Sequence, residues 1–303
     1  IVIVGETARA DHFGINGYAR QTTPKLAERT RLVSFREMRS CGTSTAISVP
    51  CLFSFDPRST FDPDRADHTE NVLHVLARAG VSVLWRDNNS GSQGVADRLD
   101  YESFRSPDRN PVCDSVECRD IGMLDGLDDH IASQTGDILI VLHQMGSHGP
   151  AYFKRYPDQF RQFVPDCQSS NLEDCELETI INAYDNTILY TDDLIDRAIG
   201  FLEPYQSDYE TSLLYVGDHG ESLGEMGIYL HGLPYSFAPD AQTGVPFIVW
   251  VGERSDIDLE ALQAVKDIPT SHDAFSDALL SLFEVRVDGA DAAVESDLLP
   301  LRE

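Results

Sequence analysis

Two short stretches of this chain hold the residue types that metal-assisted nucleophilic chemistry needs. The first is SCGTSTAISVPC, Ser40 to Cys51, where Thr43, Ser44 and Thr45 stand between two cysteines ahead of an apolar turn. The second is GDHGESLGEMGIYLHG, Gly217 to Gly232, which carries Asp218, His219 and, 12 residues on, His231 in a glycine-rich loop. A threonine hydroxyl is a weak nucleophile until its proton is loosened. Direct coordination to a divalent cation does this, much as zinc takes bound water to a pKa of about 7. Carboxylate and imidazole without thiolate make the donor set of a catalytic zinc or manganese, which keeps one position open for substrate. Glu6, directly after the apolar run IVIVG, adds a second carboxylate. Taken singly these residues read blandly: an acid after a strand is more often solvated, and a loop histidine more often lies at the surface. Ser or Thr entering a helix is most often an N-cap, and without a metal beside them that is the better reading of the hydroxyls. His12, His68, His74, His130 and His272 have no such company and read as ordinary surface or core histidines.

Whether these groups meet depends on the elements that carry them. The runs IVIV, VSVLW, DILIVL, TSLLYV and VPFIVWV each give way to a polar or glycine-containing turn, as near-continuous strands buried on both faces do. VSFREMRS adds a further strand or extended segment. Helical spacing recurs between the runs. It appears from Asp67 to Gly80, where Leu73, Leu76 and Ala77 share a face, then from Cys175 to Pro204, and again from His272. CGTSTAISVPCLF reads as a turn entering a short helix, which sets Thr43, Ser44 or Thr45 at a helix N-terminus that favours an anion. Strands alternating with helices predict one domain over 1–303: an α/β fold, doubly wound, with a largely parallel central sheet and helices on both faces. Such sheets place ligands at the carboxyl ends of their strands. Glu6, Asn88, Asn89, His143 to His148, Asp218 and His219 all fall there, and this shared edge is what raises Glu6, Asp218 and His219 above the bland reading. Long loops are expected from Tyr101 to Cys118 and from Tyr152 to Cys175.

Composition narrows the partners. Lys+Arg 23 against Asp+Glu 51 leaves a formal charge of -28, which repels nucleic acid and anionic membrane at long range. An anionic substrate therefore needs a local positive centre. No run approaches the roughly 18 apolar residues of a membrane span. The chain opens without Met inside a strand-like run, so an upstream segment is expected. Cysteines at 41, 51, 113, 118, 167 and 175 fall into sequence-local pairs with no CxxC, which fits disulfides of an oxidising compartment better than zinc thiolates.

The segments GETARADHFGINGYARQTTP, SCGTSTAISVPC, WRDNNSGSQGVADRL, LHQMGSHGPAYFKRYP, INAYDN and GDHGESLGEMGIYLHGLP, with the cysteine pairs, together resemble the catalytic domain of the phosphoethanolamine transferases. These lipid A-modifying enzymes include the mobile colistin-resistance proteins and belong to the alkaline phosphatase and sulfatase superfamily. The resemblance runs from Ile1 to about residue 285. It implies a periplasmic domain held at the bacterial inner membrane by upstream helices, with disulfides Cys41–Cys51, Cys113–Cys118 and Cys167–Cys175. It also implies Thr45 as nucleophile, with Glu6, Thr45, Asp218 and His219 holding zinc, and Asn89 at a phosphate-contacting position. Three roles stay open to His148 and His231: gripping the phosphoryl oxygens, binding a second zinc, or protonating the leaving group. Gln93 stands in the substrate-binding region where many relatives have Lys, which removes a positive contact to phosphate.

In this reading Thr45 attacks the phosphorus of phosphatidylethanolamine in line, diacylglycerol leaves, and lipid A or a related envelope glycan takes the group from the threonine. The domain is expected to be monomeric and to bind no nucleic acid. A sulfatase would need Cys or Ser in a C/S-x-P-x-R signature, and the nearest run, Ser48-Val49-Pro50-Cys51-Leu52, ends in Leu. A metal-dependent phosphodiesterase or phosphatase is a closer rival, because water can resolve the same intermediate. A zinc-stabilised ectodomain that binds lipid or a partner without turnover would place no demand on Thr45. If a Cys41–Cys51 disulfide restrains the turn presenting Thr45, its reduction lowers activity more than stability; equal losses of turnover and of thermal stability would contradict this.

Overall fold

A computed structural model describes residues 1–286 and 296–302 of the chain. Its strands are β1 (Val2–Gly5), β2 (Leu32–Arg39), β3 (Ser82–Asp87), β4 (Asp100–Ser103), β5 (Ile138–His143), β6 (Ser212–Gly217), β7 (Ser222–Leu223), β8 (Tyr229–Leu230), β9 (Gly244–Val251) and β10 (Thr270–Ser271). Its helices are α1 (Thr45–Leu52), α2 (Pro63–Ala66), α3 (Val72–Ala79), α4 (Leu127–Ser133), α5 (Leu177–Leu202), α6 (Asp240–Thr243), α7 (Leu259–Val265) and α8 (Phe275–Leu282). Eight strands form one sheet in the order β10-β2-β9-β6-β1-β5-β3-β4, while β7 and β8 form a separate hairpin. All neighbours in the large sheet are parallel except the two borders of β9, which is antiparallel to β2 and to β6. The sheet is therefore mixed but largely parallel, as expected, with VPFIVWV as its reversed strand. The cause is topological. The connection from β6 to β9 makes no crossover, so the chain re-enters the sheet from the edge it left.

Each face of the sheet buries its own core. One contains Val2 and Val4 of β1 packed with Val49, Leu52, Leu73, Leu76, Leu262 and Leu279 from α1, α3, α7 and α8. The other contains Ile3 packed with Leu127 and Ile131 of α4 and the apolar stripe of α5. Helices thus cover both sides. Helix α3 starts later than its periodicity suggests, because Asn71 closes a capping box with His74. Gly80 ends it in the left-handed conformation, as its position predicts. The segment from His272 begins with one 3-10 turn before α8, and the expected loop from Tyr101 starts inside the edge strand β4.

Strand alternation then dictates which residues reach the site. On the α1 side the sheet shows Val2 and Val4, Val83 and Trp85, Leu139 and Val141, and Leu214 and Val216. With a period of two, the next members of these four series are Glu6, Asp87, His143 and Asp218. One face of one sheet edge therefore collects four titratable groups beneath α1. Phe53, at the end of α1, fixes that helix through edge contacts with Trp85 at 5.7 Å and Phe275 at 5.8 Å between ring centroids. Phe53→Ala is expected to lower the unfolding free energy by about 3–5 kcal/mol in urea denaturation, the usual cost of emptying a buried aromatic site.

Candidate active site

Strands β1 and β6 pair with Gly5 opposite Gly217, which brings Glu6 beside Asp218 and His219. Gly5 is required here, since a Cβ would strike the Tyr215 ring. Thr45 opens α1 above them. Ser44 holds the N-cap position in extended backbone, yet its side chain makes no capping bond. Thr43 donates its hydroxyl to the carbonyl of Leu233 at 2.7 Å. Of the three hydroxyls, Thr45 alone turns to the carboxylates. Its Oγ1 donates to Glu6 Oε2 at 3.0 Å and lies 3.3 Å from His219 Nε2.

His219 Nε2 is also 3.5 Å from Glu6 Oε1 and 3.4 Å from Asp218 Oδ2. A tetrahedral ion with bonds of about 2.0–2.1 Å spaces its ligands about 3.3 Å apart. These separations match that spacing, and Glu6, Asp218 and His219 are buried with ligand atoms close enough together to hold a metal ion. The donor chemistry fits as well. His219 Nδ1 lies 2.9 Å from the Gly220 carbonyl, which accepts a hydrogen bond from the Nδ1–H tautomer and leaves the Nε2 lone pair facing inward. Asp218 Oδ2 is buried with no hydrogen-bond partner among the described residues. Burial, and next the charge of Glu6, push the Asp218 carboxyl well up. Burial would do the same to Glu6, but the charges of His219 and His148 and the bond from Thr7 bring it down to about 2. A dication relieves this conflict between neighbouring carboxylates.

The other expected residues surround this centre unevenly. The His231 ring lies 4.4 Å from that of His219, and His148 lies 5.9 Å from His231, so both line the same side. His231 Nδ1 pairs with Glu221 Oε2 at 3.0 Å. Burial alone would lower the His231 pKa, and Glu221 more than reverses this. Burial lowers that of His148. Asn89 spends both amide hydrogens on protein, donating to Glu6 Oε2 at 2.7 Å and to the Gln144 carbonyl at 2.9 Å. Gln93 hydrogen-bonds Ser90 at 3.2 Å on the same loop, and none of its bonds reaches the cluster. The three cysteine pairs are bonded as the resemblance implies.

Several contacts near the site carry no local signal in the sequence. Asp87 Oδ2 pairs with His143 Nδ1 at 2.9 Å across β3 and β5, and Asp87 Oδ1 accepts the Asn89 backbone N–H at 2.9 Å. His272 sits 3.1 Å from the Cys41 backbone N and 2.9 Å from the Gly217 carbonyl, joining the cysteine clamp to the end of β6. Burial holds its pKa down at about 3, so it stays neutral in that role. Ser48 donates to the Asp218 carbonyl from the next turn of α1. Thr7 follows Glu6 with a φ of 57°, a strained conformation for a β-branched residue that costs about 1–3 kcal/mol.

The chain matches the sulfatase family over residues 1–285. It is 50% identical over 295 residues to the phosphatidylethanolamine transferase Mcr-1 of Escherichia coli, covering 95% of this chain and 54% of that protein. The chain thus spans about half the length of the curated relatives it matches. The crystal structure of the soluble domain of lipooligosaccharide phosphoethanolamine transferase A from Neisseria meningitidis superposes with a TM-score of 0.89 at 41% identity, covering 93% of this chain and 86% of that one. The C-terminal periplasmic domain of EcEptC from Escherichia coli, in a complex with Zn, shares the fold at a TM-score of 0.77 and 20% identity, covering 96% of this chain and 83% of that one. With a family match along almost its whole length and near-complete coverage of the Neisseria domain, the chain belongs to the sulfatase family and, within it, to the phosphoethanolamine transferases.

Proposed function

We propose that this domain transfers phosphoethanolamine from phosphatidylethanolamine to lipid A or a related envelope glycan, through a covalent intermediate on Thr45. The observation that carries this reading is the Thr45 hydroxyl, 3.0 Å from Glu6 Oε2 and 3.3 Å from His219 Nε2 at the start of α1. Glu6, Thr45, Asp218 and His219 would hold a zinc ion. When bound, that ion acidifies the threonine hydroxyl and offsets charge on the phosphoryl oxygens.

The rest of the step falls to the chain. Glu6 Oε2 accepts the hydrogen bond from Thr45, which orients that proton away from the incoming phosphorus. The N-terminus of α1 adds its backbone dipole behind the phosphoryl group. In the first half-reaction Thr45 Oγ1 gives up its proton to solvent as its P–O bond forms, the P–O bond to diacylglycerol breaks, and the departing alkoxide takes a proton. His231, whose protonated form Glu221 favours, is the better proton source of the two loop histidines. His148 and His231 also flank the space for the phosphoryl oxygens or a second zinc. In the second half-reaction an acceptor phosphate or hydroxyl attacks the same phosphorus and frees Thr45. A water molecule in that place makes the enzyme a phosphodiesterase. We place the domain as a monomer at the periplasmic face of the inner membrane, held there by a segment preceding Ile1. No helix of the described residues is long and apolar enough to cross a membrane.

Incubation with phosphatidylethanolamine should add the mass of phosphoethanolamine to the peptide containing Thr45. Thr45→Ala should lose the adduct and at least about a thousandfold in turnover, as removal of a nucleophile does; the same adduct on the variant would sink the reading. Chelation should abolish the adduct and zinc restore it. Protein shown by elemental analysis to be metal-free, yet labelled at the full rate, would exclude the metal. Product analysis with lipid A present separates transfer from hydrolysis, and ethanolamine phosphate released unchanged by acceptor would favour the phosphodiesterase.

A further inference from the structure

We infer that Thr7 is a positioning residue that sets both carboxylates of the metal site; the inference rests on the zinc reading proposed for Glu6, Thr45, Asp218 and His219. Thr7 contacts two ligands from two strands. Its hydroxyl donates to Glu6 Oε1, and its backbone N–H donates to Asp218 Oδ1 at 3.0 Å. Thr7 makes both contacts from a left-handed backbone, with φ at 57°, immediately after Glu6.

The strained turn is anchored from the opposite face of the sheet. Tyr184 of α5 donates its hydroxyl to the Thr7 carbonyl at 2.7 Å and accepts the Arg9 backbone N–H at 3.0 Å. Tyr184 is fully buried, so the anchor is rigid. Each carboxylate is consequently tied at a chosen oxygen. Thr7 and the His219 backbone N–H, at 2.6 Å, take Asp218 Oδ1 and leave Oδ2 without a partner among the described residues. For Glu6, Thr7 takes Oε1 while Asn89 takes Oε2 at 2.7 Å, so the carboxylate plane cannot swing. Outer hydrogen bonds of this kind orient metal ligands and are commonly worth about 10–100-fold in affinity.

The test measures zinc itself, by competition with a chromophoric chelator, on the full chain and three variants, with the metal-free melting temperature recorded for each. Thr7→Val keeps the β-branch and removes the hydroxyl, Thr7→Ala removes both, and Thr7→Ser restores the hydroxyl alone. The Val and Ala variants are expected to lose about 10–100-fold in zinc affinity and the Ser variant to retain most of it. Should Val fail to fold, the contrast between Ala and Ser decides. Wild-type affinity in Val and Ala would overturn the proposal, as would a Ser variant as weak as they are. A wild-type chain that takes up no zinc would overturn the metal reading and the role of Thr7 with it, a result distinct from variants that bind as tightly as wild type.

Discussion

Two buried carboxylates and an imidazole held within one small space form the constraint on which the rest of this architecture depends. Glu6 and Asp218 have ligand atoms within 4.8 Å of each other and of His219. Two unit charges at that separation repel by about 3.5 kcal/mol at an effective dielectric of 20. The conflict is visible in the opposite displacements of the two carboxyls, Asp218 upward and Glu6 down to about 2. Protein donors relieve part of it: Thr7, Asn89 and the His219 backbone N–H each spend a hydrogen on one of the carboxylates. The proton that Asp218 holds more tightly relieves more of it, and the spacing of the donor atoms also suits a cation shared by both acids.

Thr45 is positioned by contacts on the far side of this cluster. Helix α1 has only eight residues, too few to hold its place by propensity. It is joined to the end of β6 by Ser48 on the Asp218 carbonyl, and the segment before it by neutral His272, which links the Cys41 backbone to the Gly217 carbonyl. The Cys41–Cys51 bond closes the segment around Thr45, and Phe53 locks its end into the aromatic core. The end of β6 thus leads into Asp218 and His219 and gives the footing for the segment that carries Thr45. Thr45 stays in register with Asp218 and His219 because all three share that support.

The sheet edge was legible in the sequence because apolar runs announce buried strands, and the polar residues after them must fall at a common edge. Glu6, Asp218 and His219 came from that argument. Thr45 did not: the residues alone left Thr43, Ser44 and Thr45 equal, and the resemblance chose among them. The structure separates them by partner, since Thr43 bonds Leu233 and Ser44 makes no cap, whereas Thr45 faces Glu6. The Asp87–His143 pair and the span of His272 stayed hidden for a different reason. They depend on which strands are neighbours, and β3 beside β5 or the Cys41 turn beside β6 leaves no trace in local periodicity. The reversal of β9 was hidden likewise, because direction within a sheet is set by the route of the connection.

That route has a purpose in the site. From Asp218 to Thr243 the chain stays at the carboxyl edge, delivering His219, Glu221 and His231 before it returns as β9. It closes on itself where the Gly220 and Glu221 backbone N–H groups bond the carbonyls of Gln242 and Ala241 at 2.9 and 2.8 Å. The Gln242 side chain then braces the interior through Ser222 Oγ and the Leu230 carbonyl, each at 3.0 Å. It meets the nucleophile's turn where Gly232 N–H bonds the Thr43 carbonyl at 2.8 Å and Thr43 answers to Leu233. A crossover to a parallel strand would have carried the chain to the opposite edge. By turning back, the fold keeps the His231 ring 4.4 Å from that of His219, so the antiparallel strand in an otherwise parallel sheet follows from the loop that builds the site's outer wall.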